Sequence, residues 1–377
     1  MIVDCPSPLA TRLLTVLTLL TTPALAERPE PAPPATFAEH QAAWEQHQAL
    51  DESSLFRGLQ WRNVGPVVQG GRVIDIESVP GQPYTFYVAY ASGGLWRTTN
   101  NGVTFEPLFD EQPSIIMGDV ALDPSDPDVL WVGTGEDNSS RSSYGGYGVF
   151  RSGDGGKTWR HVGLGDSDRV GRIRVDPRDS NRVYVATLGK LYTPGGERGV
   201  YRTTDGGATW EQVLAGDEVT GFVDLVLDPS DPDTLYAAAW ERSRRPWNFV
   251  EGGKGSAIWK STDGGDHWTR LTGGATEAGG ESTFPSGEHV GRIGLAVAAS
   301  QPGTIYASLD NQEILPEELW DLGDGAITPK RLRQMTKEEF LEQDSEAIED
   351  FIRNNDLDTS LDAEKLIAML ESDELSL

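Results

Sequence analysis

The sequence is poor in the residues that carry much enzyme chemistry. Of its 377 residues one is cysteine, Cys5. A single thiol allows no internal disulfide and no thiolate metal site. The five histidines, at 40, 47, 161, 267 and 289, show no metal-ligand spacing. There is no H-E-x-x-H, no G-x-S-x-G and no phosphate-binding glycine loop followed by Lys and Ser or Thr. The expectation is therefore no metal and no cofactor. Basic residues are also scarce, 31 against 59 acidic ones, for a net charge of −28. Nucleic acid needs a basic footprint and is excluded as a partner. The acidic surface mainly favours solubility.

Long apolar runs are missing too. Leu13–Leu20 is too short to anchor in a bilayer, so no membrane insertion is expected. With Arg12 before it and Ala24-Leu25-Ala26 after it, residues 1–26 read as a secretory signal. The protein is then secreted or periplasmic, and Cys5 leaves with the signal. Residues 27–56 read as a Pro-rich linker and a short helix. Trp44, Leu50 and Leu55 suggest that the helix is amphipathic, with a frayed polar arm as the alternative.

What the sequence does have is a repeat. Ser152-Gly153-Asp154-Gly155-Gly156-Lys157-Thr158-Trp159 recurs at Thr203–Trp210 and Ser261–Trp268, with a weaker copy at Thr98–Phe105. The closing aromatics lie 54, 51 and 58 residues apart, a period of the kind that marks propellers and arrays. Each copy follows an aliphatic–aromatic–basic triplet, such as Val200-Tyr201-Arg202, which reads as a strand entering a turn. Asp154, Asp205 and Asp263 are suited to accept backbone N–H bonds across that turn. The paired glycines supply positive φ. Trp159, Trp210 and Trp268 are expected to cover their own hairpins. Three equivalent acids on three repeats suit a structural role better than a catalytic one.

Each repeat holds four strand signals, best seen as 170–175, 183–187, 200–203 and 210–213. The fold class is all-β, a β-propeller of four-stranded blades over 57–310. About four and a half blades are present, which predicts an incomplete ring and further repeats downstream. Residues 311–377 are acidic. Thr328-Pro329, the capping-box pattern Thr336–Glu339 and the spacing of Leu361, Leu366, Ile367 and Leu370 predict a helical insertion.

The octamer resembles the Asp-box of the BNR-repeat β-propellers. These include sialidases, xyloglucanases, a photosystem II assembly factor and sortilin-type receptors. Trp61-Arg62-Asn63-Val64-Gly65-Pro66 with Gly70-Gly71-Arg72 is similar to the bacterial sortilin-like branch. The resemblance implies a fold, since the group spans hydrolases, receptors and assembly factors. In the xyloglucanases a catalytic Asp precedes x-Gly-Gly in the first blade. Ala91-Ser92-Gly93-Gly94 stands there in this chain, and alanine cannot transfer a proton. The expectation is thus a binding or assembly module for a peptide, protein or glycan, with no catalytic residue assigned. A sialidase-like or other glycoside hydrolase, which needs two spaced carboxylates, is the alternative.

The antiparallel alternation of strands sorts the loops. Octamers and first-to-second turns share one face, and the long second-to-third loops share the other. Function tends to sit on such long loops over a rigid scaffold. Arg72, Arg172 and Arg292 begin inner strands and are expected at the channel mouth. They are joined there by Glu136, Asn138 and Arg141 on the first long loop and by Glu241, Arg242 and Trp247 on the last. Arginine suits bidentate carboxylate recognition, which would favour an acidic peptide or glycan. Because Gly118-Asp119 stands in the second blade where the others have Gly-Arg, a purely structural Arg–Asp ring is the other reading.

Overall fold

Short β-rich runs punctuated by Gly, Pro and Asp cannot each bury a face alone, so they pair into small sheets that stack. The computed structural model describes residues 35–59, 71–139, 143–272, 284–314, 327–354, 361–372 and 374–375. It divides into two units, Met1–Gln312 and Glu313–Leu377.

The first unit holds four four-stranded antiparallel sheets, each a meander in chain order. Sheet one is β1 (Val73–Ser78), β2 (Phe86–Tyr90), β3 (Gly94–Thr98) and β4 (Glu106–Pro107). Sheet two is β5 (Met117–Leu122), β6 (Leu130–Thr134), β7 (Val149–Ser152) and β8 (Arg160–Gly163). Sheet three is β9 (Val170–Asp176), β10 (Asp179–Thr187), β11 (Gly199–Thr203) and β12 (Glu211–Ala215). Sheet four runs β13 (Thr220–Leu227), β14 (Leu235–Glu241), β17 (Ala257–Ser261) and β18 (Thr269–Arg270), with the ribbon β15 (Ser243–Arg245) and β16 (Asn248–Val250) inserted after β14. A fifth sheet has two strands, β19 (Val290–Val297) and β20 (Ile305–Asn311).

The core lies between sheets. Tyr87, Ala89 and Leu95 of sheet one pack on Met117, Val120 and Val132 of sheet two. Trp131 and Val149 meet Val170, Ile173 and Val185 across the next interface. Tyr184, Ala186 and Val200 meet Phe222, Leu225 and Ala237 across the third. Val223, Ala238 and Trp240 meet Val290 and Ile293 across the fourth. The inner strands β1, β5, β9, β13 and β19 are successive neighbours along these interfaces. Stacked meanders with adjacent inner strands make an all-β propeller. Val73 and Ile76 of the first sheet and Tyr306 of the fifth are exposed, as in an incomplete ring. Gly171 lets two inner strands approach, since a Cβ there would lie 2.6 Å from the Val223 carbonyl oxygen.

The strands of the third repeat fall at the expected places. Trp210 itself stays outside β12, which starts at Glu211, because its ring turns to the preceding sheet. Residues Phe37–Ser53 form helix α1, closed by a capping box between Thr36 and Glu39. The amphipathic expectation is corrected: no residue of α1 is fully buried, and Leu50 and Leu55 are exposed. The helix docks by its first turn. Phe37 stacks on His161 with centroids 4.7 Å apart, and His40 Nδ1 lies 3.0 Å from the Tyr147 hydroxyl.

The second unit has helices α2 (Pro329–Leu332), α3 (Lys337–Leu341), α4 (Ser345–Asn354) and α5 (Ala363–Glu371). Thr328 accepts from the Arg331 N–H, and the Thr336–Glu339 capping box is formed. Phe340, Ile348, Ile352, Leu366 and Leu370 make its core. No helix of the described residues is long and apolar enough to cross a membrane.

Candidate functional site

Each octamer closes on itself. Asp154 Oδ1 accepts the N–H groups of Lys157 (3.0 Å) and Thr158 (2.9 Å), and Oδ2 accepts the Thr158 hydroxyl (2.7 Å). Asp205 makes the same bonds to Thr209, and Asp263 makes them to His267. These donors hold all three carboxyls down at about 2, so none is poised to carry a proton. Both glycines of each pair have positive φ, and in the first copy Asn101 takes the first glycine's left-handed position at φ 58°. Gly155, Gly206 and Gly264 donate to the backbone of the first-to-second turn, at Asp128, Asn181 and Asp233. Octamers and those turns therefore occupy one face.

Trp159 and Trp210 reach beyond their own hairpins, whereas Trp268 stays on its own, as expected. Trp159 Nε1 donates to the Leu108 carbonyl at 2.8 Å, and Trp210 Nε1 to the Val162 carbonyl at 2.7 Å, both in the preceding sheet. They tie blade to blade as well as covering a turn. Trp268 Nε1 donates to its own Gly265 carbonyl at 3.0 Å. Phe105, in the first sheet, packs edge-on against Phe86 of the same sheet.

The inner strands carry a second system. Inner strands of neighbouring blades form no ladder, so their backbone N–H groups need other partners. Asp75 accepts from the Val120 N–H at 3.4 Å, Asp119 from the Ile173 N–H at 2.6 Å and Asp224 from the Leu295 N–H at 2.8 Å. Between β9 and β13 the link is Arg172, bonded to Asp119 at 2.9 Å and to Asp224 at 3.0 Å. Burial pushes the Asp119 carboxyl up. Glu77, lower on β1 beside Asp75, is pushed up to about 7, first by burial. Charged residues in the middle of β-branched runs were the sequence signal for this ring.

At the other face the described parts of the loops, 135–139 with 143–148, 188–198 and 242–256, meet. Arg72 makes a two-pronged pair with buried Glu136, at 2.5 and 3.0 Å. Arg292 bonds Asp137 at 2.5 Å and the Asn138 side chain at 2.9 Å. Glu241 folds back on the Gly255 N–H at 2.8 Å. Arg242 is buried, donates to the Asp137 carbonyl at 2.8 Å and lies 4.5 Å over the Trp240 ring. The pairing at Arg172, between Asp119 and Asp224, is the arrangement that the structural-ring reading of the arginines expects. Arg72, Arg172 and Arg292 each serve a carboxylate of the fold, because a guanidinium this close to buried acids is held by them. Arg141 and the Trp61–Pro66 stretch lie outside the described residues.

What the mouth does present is aromatic. Trp247, at the tip of the β15–β16 ribbon, is 82% exposed, and Tyr144 and Tyr192 are exposed on the neighbouring loops. Hydrogen bonds join the three loops: the Tyr192 hydroxyl donates to the Ser143 carbonyl at 3.3 Å, and Arg245 donates to the Tyr192 carbonyl at 2.9 Å. Tyr144 and Tyr192 had no motif to mark them in the sequence. Among the described residues no His, Cys, Asp and Glu cluster could hold a metal ion.

Comparison with known proteins shows what part of the chain is similar to. Residues 147–287 match the model described as Sortilin-Vps10: sortilin, neurotensin receptor 3. A xyloglucanase of Paenibacillus sp. is 25% identical over 249 residues, 56% of this chain and 22% of that protein. The xyloglucanase Xgh74A of Acetivibrio thermocellus is 35% identical over 240 residues, 57% of this chain and 27% of that protein. The chain thus spans about a quarter of the length of these relatives. Among solved structures, an ancestral GH74 enzyme aligns with TM-score 0.47 and 21% identity over 65% of this chain and 28% of that one. A structure of YCF48 bound to D1 peptide aligns with TM-score 0.40 and 16% identity over 68% and 66%. The chain carries an Asp-box β-propeller segment similar to the sortilin-like and xyloglucanase-like branch of these proteins.

Proposed function

We propose that the chain is part of an exported propeller that binds a peptide, protein or glycan on its long-loop face. The observation that carries this is the contrast between faces. One face is built of short turns whose polar groups are spent on each other. The other has three long, interlocked loops that expose Tyr144, Tyr192 and Trp247. Exposed aromatics on a rigid support are the residues that interfaces and sugar sites use. Arg72, Arg172 and Arg292 support this face from within, since each guanidinium is paired to a carboxylate of the fold.

The xyloglucanase relatives favour a second reading, a glycoside hydrolase. Against it, Ala91 is buried where the resemblance implies an acid, and Glu136, Asp137 and Glu241 are each tied up. The experiment is a binding screen on glycan and peptide arrays with wild type and Trp247→Ala, beside turnover on xyloglucan. Trp247→Ala is expected to keep its melting temperature and to lose at least tenfold in affinity for whatever the wild type captures. Undiminished binding by both Trp247→Ala and Tyr192→Ala would defeat the loop-face reading, and xyloglucan cleavage would establish the second.

A further inference from the structure

The long-loop face carries a protruding finger and, at its periphery, a cleft of opposite charge. The finger is the β15–β16 ribbon. Ser243 pairs with Val250, Arg244 with Phe249 and Arg245 with Asn248. The Arg244 N–H donates to the Leu191 carbonyl at 3.0 Å, and the Arg245 guanidinium to the Tyr192 carbonyl at 2.9 Å. Arg244 also lies 4.5 Å over the Phe249 ring. The ribbon is thus braced on the neighbouring loop, and bracing of this kind lowers the ordering cost of binding. Its tip holds Trp247 almost wholly in water. In a chain of net charge −28, residues 242–248 hold three arginines and no acid. Tryptophan and arginine are the residues that anchor interfaces most often.

The cleft lies between α1 and the connection from β4 to β5. Trp44, His47, Asp51 and Glu52 line one wall, and Asp110 and Glu111 the other, around a volume of about 420 Å3. Trp44 stacks on His47 with centroids 5.3 Å apart. Besides His47, the one base in the lining is Arg57. The acids of the octamers and inner strands are spent on the fold. These four are exposed, and among the described residues no ion pair engages them. Antiparallel strands alternate in direction, so the β4–β5 connection falls on the same face as the loop that bears the ribbon.

We propose that two copies of the chain meet long-loop face to long-loop face, the Trp247 tip of each entering the acidic cleft of the other. The indole meets Trp44, and Arg244 and Arg245 meet the carboxylates of the two walls, which guanidinium groups suit. The cleft volume lies within the roughly 300–1,000 Å3 of sites that bury a small ligand. Because finger and cleft share a face, a two-fold axis makes the contact twice. At physiological salt, charges beyond about 8 Å are screened, so the local match outweighs the repulsion between two acidic chains. The proposal rests on the long-loop face being the binding face, and it names the partner: a second copy of this chain.

The test is sedimentation equilibrium of the full chain over a concentration series, with melting temperature beside it. Wild type should show a reversible monomer–dimer equilibrium. Trp247→Ala should weaken the dimer about a hundredfold, roughly tenfold for each of the two contacts. Asp110→Arg with Glu111→Arg should weaken it at least tenfold. All three positions are exposed, so unchanged melting is expected. A second readout is positional. With Cys5 replaced by Ser, chains carrying Asn248→Cys mixed with chains carrying Gln48→Cys should cross-link through a short bis-maleimide far faster than either does with itself. A chain that stays monomeric throughout, a dimer indifferent to Trp247→Ala, or cross-linking with no preference for the mixture would each overturn the proposal. An array ligand lost in Trp247→Ala while the chain is monomeric overturns this proposal alone and leaves the loop-face reading standing. A dimer lost in Trp247→Ala with no array ligand captured supports it and counts against a foreign ligand.

Discussion

Arg172→Met separates a structural ring from a ligand anchor at the centre of the propeller. The guanidinium links Asp119 on β5 to Asp224 on β13, at 2.9 and 3.0 Å, and lies 3.9 Å from Asp75 on β1. The Arg172 side chain is 21% exposed, that of Asp119 1% and that of Asp224 10%. Removing one partner of a buried ion pair costs about 3–5 kcal/mol, because the remaining charge is stranded. Here the cost belongs at the lower end, about 3 kcal/mol, since backbone N–H groups still serve both carboxylates and Arg172 is partly solvated. For a chain of this size that is roughly 4–5 °C in Tm.

The effect carries a pH signature. Burial raises the folded-state pKa of Asp119 above its unfolded value. Such a group favours folding at low pH, and that contribution is lost as pH rises through the folded pKa. Without Arg172 the ionised form is less tolerated still, so R172M should be hurt more at pH 8 than at pH 5. Urea unfolding followed by tryptophan fluorescence at the two pH values measures both. A loss below about 1 kcal/mol, the level of an exposed pair, or a loss that does not change with pH, would refute the reasoning. So would unchanged stability with ligand binding abolished.

Two further outcomes are expected. Asp154, Asp205 and Asp263 have folded pKa values depressed to about 2, so their stabilisation is full above the unfolded value of 3.8 and is lost as pH falls through 2. Asp205→Ala should therefore lower Tm at pH 7 and leave a smaller further fall between pH 4 and 2 than wild type shows in acid melting scans. Gly171→Ala places a Cβ 2.6 Å from the Val223 carbonyl oxygen, a backbone atom that cannot swing away. It should cost about 3 kcal/mol, the upper end of overpacking, and chemical denaturation will show whether the inner strands can instead move apart.

The octamers were legible because their determinants are local. A carboxylate, two glycines and a hydroxyl within eight residues close a turn without help from the rest of the chain. Period and strand signals then gave the blades, and capping residues gave the helices of the second unit. Nothing local says where a tryptophan indole or a guanidinium ends its reach. Trp159 and Trp210 find carbonyls one blade back, and Arg172 finds carboxylates on both neighbouring strands. Arg72 and Glu136 stand 64 positions apart, and Arg292 and Asp137 stand 155 apart. The sequence alone determined the repeat, its turns and the two faces. Which arginines are spent on the fold was decided by tertiary packing, because charge pairing at an inner-strand hub depends on which strands the propeller brings side by side.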